Sequence, residues 1–289
     1  MSSIWRPVRE RNPARSLMVV VAHPGDEAFG FGGAIATAAA TGAYVVVLCA
    51  TRGWFDPRLS LKPPAPGGKN RDVKTDALNW RNIDTVREDE LRRSVALLGV
   101  RVLRMLDYAE GELDRVDFDE LTGRIVEPIR MHRPEVILTF GPDGVTGDTD
   151  HVVLSRAATR AYQLAARPLA HEDDLEEDQV AWRAAKLYHL VVPRASVDLL
   201  GERVPAEGYG SVEGSATVTL ELGEMAQLKL GAISRHISQT GSAGPFHDWS
   251  SEVREQWLAT ESYRLVDSAL PVPAGSEGRS ETSLFDGLP

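Results

Sequence analysis

The sequence predicts an α/β fold, a doubly wound and mostly parallel sheet with a long insertion and a C-terminal elaboration. Three observations predict it. Two unbroken apolar runs, Leu17 to Ala22 and Ala43 to Cys49, have strand length and no polar face, as strands covered on both sides require. An Ala-rich stretch of helical composition, Gly32 to Thr41, lies between them and is closed by Gly42. A strand–helix–strand order implies a parallel pair joined by a right-handed crossover.

The remaining elements follow in chain order. Trp54 to Trp80 breaks the pattern with Pro57, Pro63, Pro64, Pro66, Gly67 and Gly68, and reads as a long surface insertion, of the kind that is a lid, a binding loop or disordered. Its Trp54, Phe55 and Trp80 suit either a lid over a ligand or a small packing cluster. Thr85-Val86-Arg87-Glu88 reads as a capping box, opening a helix to Leu98 with Leu91, Val95 and Leu98 on one face and Gly99 as its stop. Arg101 to Leu106 is a third strand. Phe118, Leu121, Ile125 and Ile129 mark a helix that Pro128 kinks or shortens.

Glu135 to Phe140 is the fourth strand, followed by a Gly/Asp-rich loop and a helix from His151 towards Ala166. Residues 169–179 are strongly acidic and read as a solvated loop. Lys186 to Val192 is a fifth strand, and Ala216 to Leu220 a sixth at an edge. Met225, Leu228, Ala232 and Ile237 suggest one late helix, and Val253 to Arg264 another. The expected organisation is a flexible N-terminus (1–16), one α/β domain (17–265, with the 54–80 insertion) and a loose tail (266–289).

Composition narrows the functional classes. A chain of 289 residues buries a large core without disulfides, and its single cysteine, Cys49, excludes a disulfide scaffold or a Cys-based zinc cluster. With 42 acidic against 32 basic residues the net charge is −10, which argues against nucleic-acid binding. No apolar run is long enough for a membrane span, and Met1 to Arg15 shows no apolar core of a secretory signal. The expectation is a cytoplasmic protein acting on a small molecule, with a homo-oligomer left open.

In an open parallel sheet, ligands bind beyond the carboxyl ends of the strands. Two such ends carry metal-type residues: His23 and Asp26 after the first strand, and Asp148, Asp150 and His151 after the fourth. Two imidazoles and one carboxylate leave coordination positions open, as a catalytic site requires. Zinc suits such donors, and so does non-haem Fe(II). The same residues also have plainer uses, since His-Pro-x-Asp can be a turn and Asp148 or Asp150 a helix N-cap. His132, His171 and His189 lack partners at useful spacing, whereas His236 and His247 could each reach the same end of the sheet. Gly30, Gly32 and Gly33 do not match a dinucleotide fingerprint, and neither a phosphate loop nor a G-x-S-x-G elbow occurs. Cys49 reads as a core residue.

Ala22-His23-Pro24-Gly25-Asp26-Glu27 resembles the A-H-P-D-D-E signature of the PIG-L/LmbE-like zinc-dependent N-deacetylases. Gly147-Asp148-Thr149-Asp150-His151 partly matches that family's G-H-P-D-H signature, preceded by the similar Thr139-Phe140-Gly141-Pro142-Asp143-Gly144. Arg87-x-x-Glu90-Leu91, Arg235-His236-x-Ser238-Gln239 and Glu261-Ser262-Tyr263 resemble further blocks, so the likeness covers about residues 17–265 in order. It implies a Rossmann-like fold and a zinc-dependent hydrolase that removes the acetyl group from an N-acetylated amino sugar or related small amide.

Carried over position by position, the resemblance implies His23, Asp26 and His151 as metal ligands and Arg87 as a substrate-binding residue. Asp150 would orient a histidine from behind. Two positions depart. Gly25 stands where the family has its general base, and Asp148 where it has a histidine that stabilises the intermediate and protonates the leaving amine. A positioned acid or base contributes about 10²–10⁴-fold, so both departures bear on rate. Three readings follow: a hydrolase in which Asp148 or Glu27 takes over proton transfer, a site that binds metal and ligand for another zinc-assisted reaction or uses a substrate group as its base, or a catalytically silent relative retained for binding. Gly25 also suits a loop conformation with positive φ that only glycine takes cheaply.

Overall fold

In the computed structural model, which describes residues 15–53, 83–145, 147–168, 180–192, 216–240, 250–270 and 281–289, the two apolar runs form β1 (Ser16–Val21) and β2 (Tyr44–Thr51). They pair in parallel from Ser16↔Tyr44 to Val21↔Cys49, and every residue of β1 is buried. The crossover between them holds a single turn, α1 (Asp26–Phe29), and then α2 (Gly32–Ala40). Cys49 is fully enclosed in β2, as expected of a core residue.

The chain continues through α3 (Ile83–Leu97), β3 (Val102–Tyr108), α4 (Phe118–His132), β4 (Val136–Thr139), α5 (Thr149–Ala165) and β5 (Lys186–Val191). It ends with β6 (Val218–Glu221), α6 (Met225–Ile233), α7 (Ile237–Thr240), α8 (Ser251–Ala259) and β7 (Thr260–Ser268). Among the described residues, seven strands form one sheet in the order β3-β2-β1-β4-β5-β7-β6. The first five are parallel, while β7 runs antiparallel to both β5 and β6. The chain winds outward from β1 to β3 and then returns to start β4 on the other side of β1. The carboxyl ends of β1 and β4 therefore lie side by side at the point where winding reverses, where such sheets bind ligands. This is the mostly parallel, doubly wound α/β fold expected from the sequence.

Local differences have physical reasons. The third helix already begins at Ile83, so Thr85 lies inside it and the Thr85–Glu88 capping box does not mark its start; the Thr85 amide donates to Asp84 Oδ1 at 2.8 Å. Pro128 does not end α4, which runs on to His132 because Leu121, Ile125 and Ile129 are fully buried along one face. The late helix spanning Met225 to Ile237 is two helices, α6 and α7, separated by Ser234-Arg235-His236. Val253 to Arg264 is only half helical. Ser250 caps α8, and from Thr260 the chain becomes β7, buried at Glu261–Tyr263 between two partner strands.

The expected loose tail does not extend to residues 281–289. There Leu284 is buried, and Glu281 accepts from Lys186 Nζ at 2.6 Å and from the Tyr188 hydroxyl at 2.5 Å. The 54–80 insertion, the acidic 169–179 segment, His171 and His247 lie outside the described residues. Among the described residues no helix is long and apolar enough to cross a membrane.

Candidate metal centre

Strand β1 ends in a tight turn, in which the Asp26 amide donates to the His23 carbonyl at 3.2 Å and the His23 amide to Asp26 Oδ2 at 2.7 Å. This turn brings the His23 and Asp26 side chains onto one side of the loop. Gly25 sits between them at φ 113°, a conformation that side-chain-bearing residues rarely adopt. Beyond β4, Asp148 caps α5. Its Oδ1 accepts from the amides of Asp150 at 2.8 Å and His151 at 3.3 Å, which sets the first turn and aims His151 at the β1 loop.

Three donor atoms meet there. His151 Nε2 lies 3.2 Å from His23 Nδ1 and 3.3 Å from Asp26 Oδ2, and His23 Nδ1 lies 3.8 Å from Asp26 Oδ2. Ligands held about 2.0–2.2 Å from a tetrahedral ion stand roughly 3.3–3.5 Å apart, so the three atoms are spaced as one divalent ion requires. Asp148 also brings a carboxylate oxygen within 4.8 Å of the imidazole nitrogens. Asp26 Oδ2 stands at 3.3 and 3.8 Å from the two nitrogens, whereas Oδ1 of Asp148 already serves the helix cap, so Asp26 fits the third donor better.

The outer nitrogen of each imidazole is engaged. His23 Nε2 is 2.9 Å from Asp150 Oδ2, and His151 Nδ1 is 3.0 Å from the Gly144 carbonyl oxygen. When the rings are neutral, each acceptor takes the ring N–H and the facing nitrogen turns its lone pair inward, as in histidines that bind metals. Asp150 is itself fixed by the amides of Gly111 at 2.6 Å and Leu113 at 3.0 Å. The His151 ring lies flat on Phe140, with centroids 4.1 Å apart. Gly144, at φ 66°, admits the close approach, since a Cβ there would come within 3.0 Å of His151 Cβ.

The electrostatics favour a positive charge. Burial opposes protonation of His23, yet the Asp150 hydrogen bond, Asp26 and the more distant Glu110 and Asp148 push its pKa up to about 9. Burial likewise opposes ionisation of Asp26, but His151 and His23 hold its pKa down to about 2. His151 is raised against its own burial, chiefly by Asp26. Two buried imidazoles that both attract protons at 3.2 Å separation form a niche suited to one shared cation.

The other predicted residues surround this centre without joining it. Glu27 is fully buried and receives Gly25 N at 2.8 Å, the Ser94 hydroxyl at 2.6 Å and His236 Nε2 at 2.7 Å. Both of its oxygens are thus occupied in holding the loop to α3 and to the turn before α7. Arg87 is buried behind the same loop, donating to the carbonyls of Pro24 at 3.3 Å and Gly53 at 3.0 Å and to Glu110 Oε2 at 2.5 Å. His236 thus reaches this end of the sheet only through Glu27. His189, in β5, meets Thr159 Oγ1 at 3.0 Å, and His132 meets the Tyr44 hydroxyl at 3.4 Å.

Glu110 and Gln239 also belong to this neighbourhood and were not foreseen from spacing. Gln239 belongs to the Arg235-His236-x-Ser238-Gln239 block, which was the available signal for it. Glu110 had none, since only its pairing with Arg87 brings it here.

Comparison with known proteins bears on the family of the chain and on its fold. Residues 18–162 match the family model described as PIG-L, GlcNAc-PI de-N-acetylase. A 1D-myo-inositol 2-acetamido-2-deoxy-α-D-glucopyranoside deacetylase of Streptomyces griseus is 32% identical, with 96% of this chain and 90% of that protein aligned. The protein of the same name from Thermomonospora curvata is 30% identical over 95% of this chain and 97% of its own length. Among solved structures, the N,N'-diacetylchitobiose deacetylase of Pyrococcus horikoshii superposes with a TM-score of 0.64 at 17% identity, covering 87% of this chain and 84% of that one. GalB, the 4-carboxy-2-hydroxymuconate hydratase of Pseudomonas putida, superposes with a TM-score of 0.62 at 17% identity, covering 89% and 98%. The two structural likenesses concern the fold alone. With the family model covering half the chain and the curated relatives nearly all of it, this protein belongs to the PIG-L family of GlcNAc-PI de-N-acetylases.

Proposed function

We propose that the protein hydrolyses the amide C–N bond of an N-acetylated amino sugar at a divalent metal held by His23, Asp26 and His151, with zinc as that metal. The observation that carries this reading is the meeting of three donor atoms at 3.2–3.8 Å with both outer imidazole nitrogens already engaged. The names of the relatives supply the substrate class. A bound divalent ion of this kind polarises an acyl carbonyl and lowers the pKa of water in its shell.

The chain's own residues then divide the remaining work. Asp150 and the Gly144 carbonyl fix the two rings, so that little reorganisation accompanies the reaction. Asp148 is solvent-exposed at the rim with a carboxylate oxygen near the imidazoles, and in this reading it carries a proton from the attacking water to the departing amine. Glu27, enclosed by three donors, holds the loop and exchanges no proton. Arg87 is enclosed, with Nε buried and its other nitrogens engaged with Pro24, Gly53 and Glu110, so in this reading it braces the loop of residues 23–27 from behind and acts on the substrate only through that loop.

A second reading, a silent metal binder, is favoured by one feature: Gly25 supplies no side chain where the resemblance implies a general base. Acetate release separates the two. Purified protein with one equivalent of zinc is incubated with 1D-myo-inositol 2-acetamido-2-deoxy-α-D-glucopyranoside and, separately, with N-acetylglucosamine. Hydrolysis predicts acetate and free amine in equal amounts from at least one of them, lost on chelation and restored by zinc. Bound zinc with no acetate from either favours the silent binder.

A further inference from the structure

Among the described residues, five buried side-chain nitrogen or oxygen atoms lack a hydrogen-bond partner, and three of them belong to residues packed on the loop of residues 23–27. These are Arg87 Nε, His236 Nδ1 and Gln239 Oε1. Arg87 and His236 each touch the loop through another nitrogen, but Gln239 meets it with the orphaned atom itself. A Cβ built on Gly25 would stand 2.3 Å from Gln239 Oε1, 3.1 Å from its Cδ and 3.2 Å from its Nε2. The carboxamide therefore occupies the space in which a side chain at position 25 would begin, between ligand candidates His23 and Asp26.

This placement is built in. The backbone of α7 is anchored by Glu90, whose oxygens accept from Ser238 N at 2.8 Å and Ser238 Oγ at 2.5 Å. The Gln239 amide donates to the His236 carbonyl at 3.0 Å, and His236 is tied to Glu27. The Gly25 amide donates to Glu27 Oε2 at 2.8 Å and so is not spent on the carboxamide. A buried carbonyl oxygen left without a donor is unfavourable, and this one faces the loop that carries two ligand candidates, so a donor entering with the substrate would satisfy it.

We propose that Gln239 is a positioning residue whose carboxamide oxygen accepts a hydrogen bond from the attacking water. This inference rests on the hydrolase reading above. As the water oxygen bonds to the acyl carbon, the C–N bond breaks and its electron pair stays on nitrogen. One water proton travels by way of Asp148 to that nitrogen. The proton held towards Gln239 remains on oxygen until the acetic acid product ionises, so the carboxamide gains no proton.

The test compares wild type, Gln239→Ala and Gln239→Glu as full-length zinc-loaded proteins, with the inositol-linked substrate above. Removing the acceptor should lower kcat about 10²-fold with KM within roughly twofold. Zinc affinity, read by competition with a chromophoric chelator, and Tm should not fall. Gln239→Glu should retain turnover and add an acidic limb to the pH profile of kcat, because a carboxylate must then be ionised to accept.

A readout independent of turnover is the Tm loss caused by Gly25→Ala, which should be smaller in the Gln239→Ala background than in wild type because the collision is gone. An unchanged kcat in Gln239→Ala, or a kcat loss accompanied by equal losses of zinc affinity and Tm, overturns the proposal in favour of a packing role. If Gln239→Ala does not fold, Gln239→Met, which keeps the length without the acceptor, takes its place under the same criteria. Wild-type protein that releases no acetate overturns the hydrolase reading together with this one. Normal wild-type turnover with an indifferent Gln239→Ala overturns this one alone.

Discussion

Asp148 has two duties that substitution can separate. Its Oδ1 caps α5 through the amides of Asp150 and His151, and its carboxylate is placed to carry a proton at the rim of the centre. Asparagine caps as well as aspartate but does not transfer protons, while alanine does neither. Asp148→Ala should therefore lose about 1 kcal/mol of stability in denaturant unfolding, and Asp148→Asn almost none. Both should lose about 10²–10⁴-fold in kcat. Full activity in Asp148→Asn would leave the residue with its cap alone. At this scale the sequence carried much of the site: His23, Asp26, Asp148, Asp150 and His151 were legible because each follows a buried apolar run and sits at a strand's carboxyl end. Glu27 showed its carboxylate but not its neighbours, since Ser94 and His236 are distant along the chain. Gln239 was legible only as part of a resembling block, because its meaning depends on the missing Cβ at Gly25.

The elements were readable where one face or both faces were apolar, and unreadable where long-range pairing decided them. β1, β2 and β4 announce themselves as continuous apolar runs. β7 does not. Its Glu261, Ser262 and Tyr263 are all buried, yet Glu261 is polar and accepts from the amides of Gly33 and Ala34 at 2.7 and 2.8 Å at the start of α2. Local pattern extended the preceding helix into it because such a partner is remote along the chain. The terminal segment is likewise fixed by a partner remote along the chain. Glu281 pairs with Lys186, whose side chain is only 2% exposed, and that pairing holds residues 281–289 to β5. Glu281→Ala should cost roughly 2–4 kcal/mol of unfolding free energy, somewhat below a fully buried pair because Glu281 is partly exposed and Lys186 Nζ keeps its contact with Tyr188. Adding Lys186→Met should recover most of that loss by removing the stranded charge. A double variant no more stable than Glu281→Ala would show that the ammonium is not what makes the single change costly.

Across the whole molecule, strand order produces the site. Winding from β1 outward to β3, then back to β4 beside β1, places two loops far apart in sequence next to each other, and each brings one imidazole. Stability at acid pH is also a property of the whole. Burial lowers His189 and His132 to about 4 each, from an unfolded value near 6.5. The unfolded chain therefore binds more protons than the folded one below pH 6.5, and stability should fall between pH 6.5 and 4 by a few kcal/mol in total. Urea unfolding of the full chain at pH 6.5 and 4.5 checks this, and His132→Asn combined with His189→Asn should flatten that slope. An unaltered slope in the double variant would assign the acid sensitivity elsewhere.

The most direct measurement is a crystal structure of the zinc-loaded protein with diffraction recorded on both sides of the zinc absorption edge. One anomalous peak is predicted about 2.0–2.2 Å from His23 Nδ1, His151 Nε2 and Asp26 Oδ2 together. Stoichiometric zinc seated anywhere else, or those three side chains pointing away from a common point, would contradict the account.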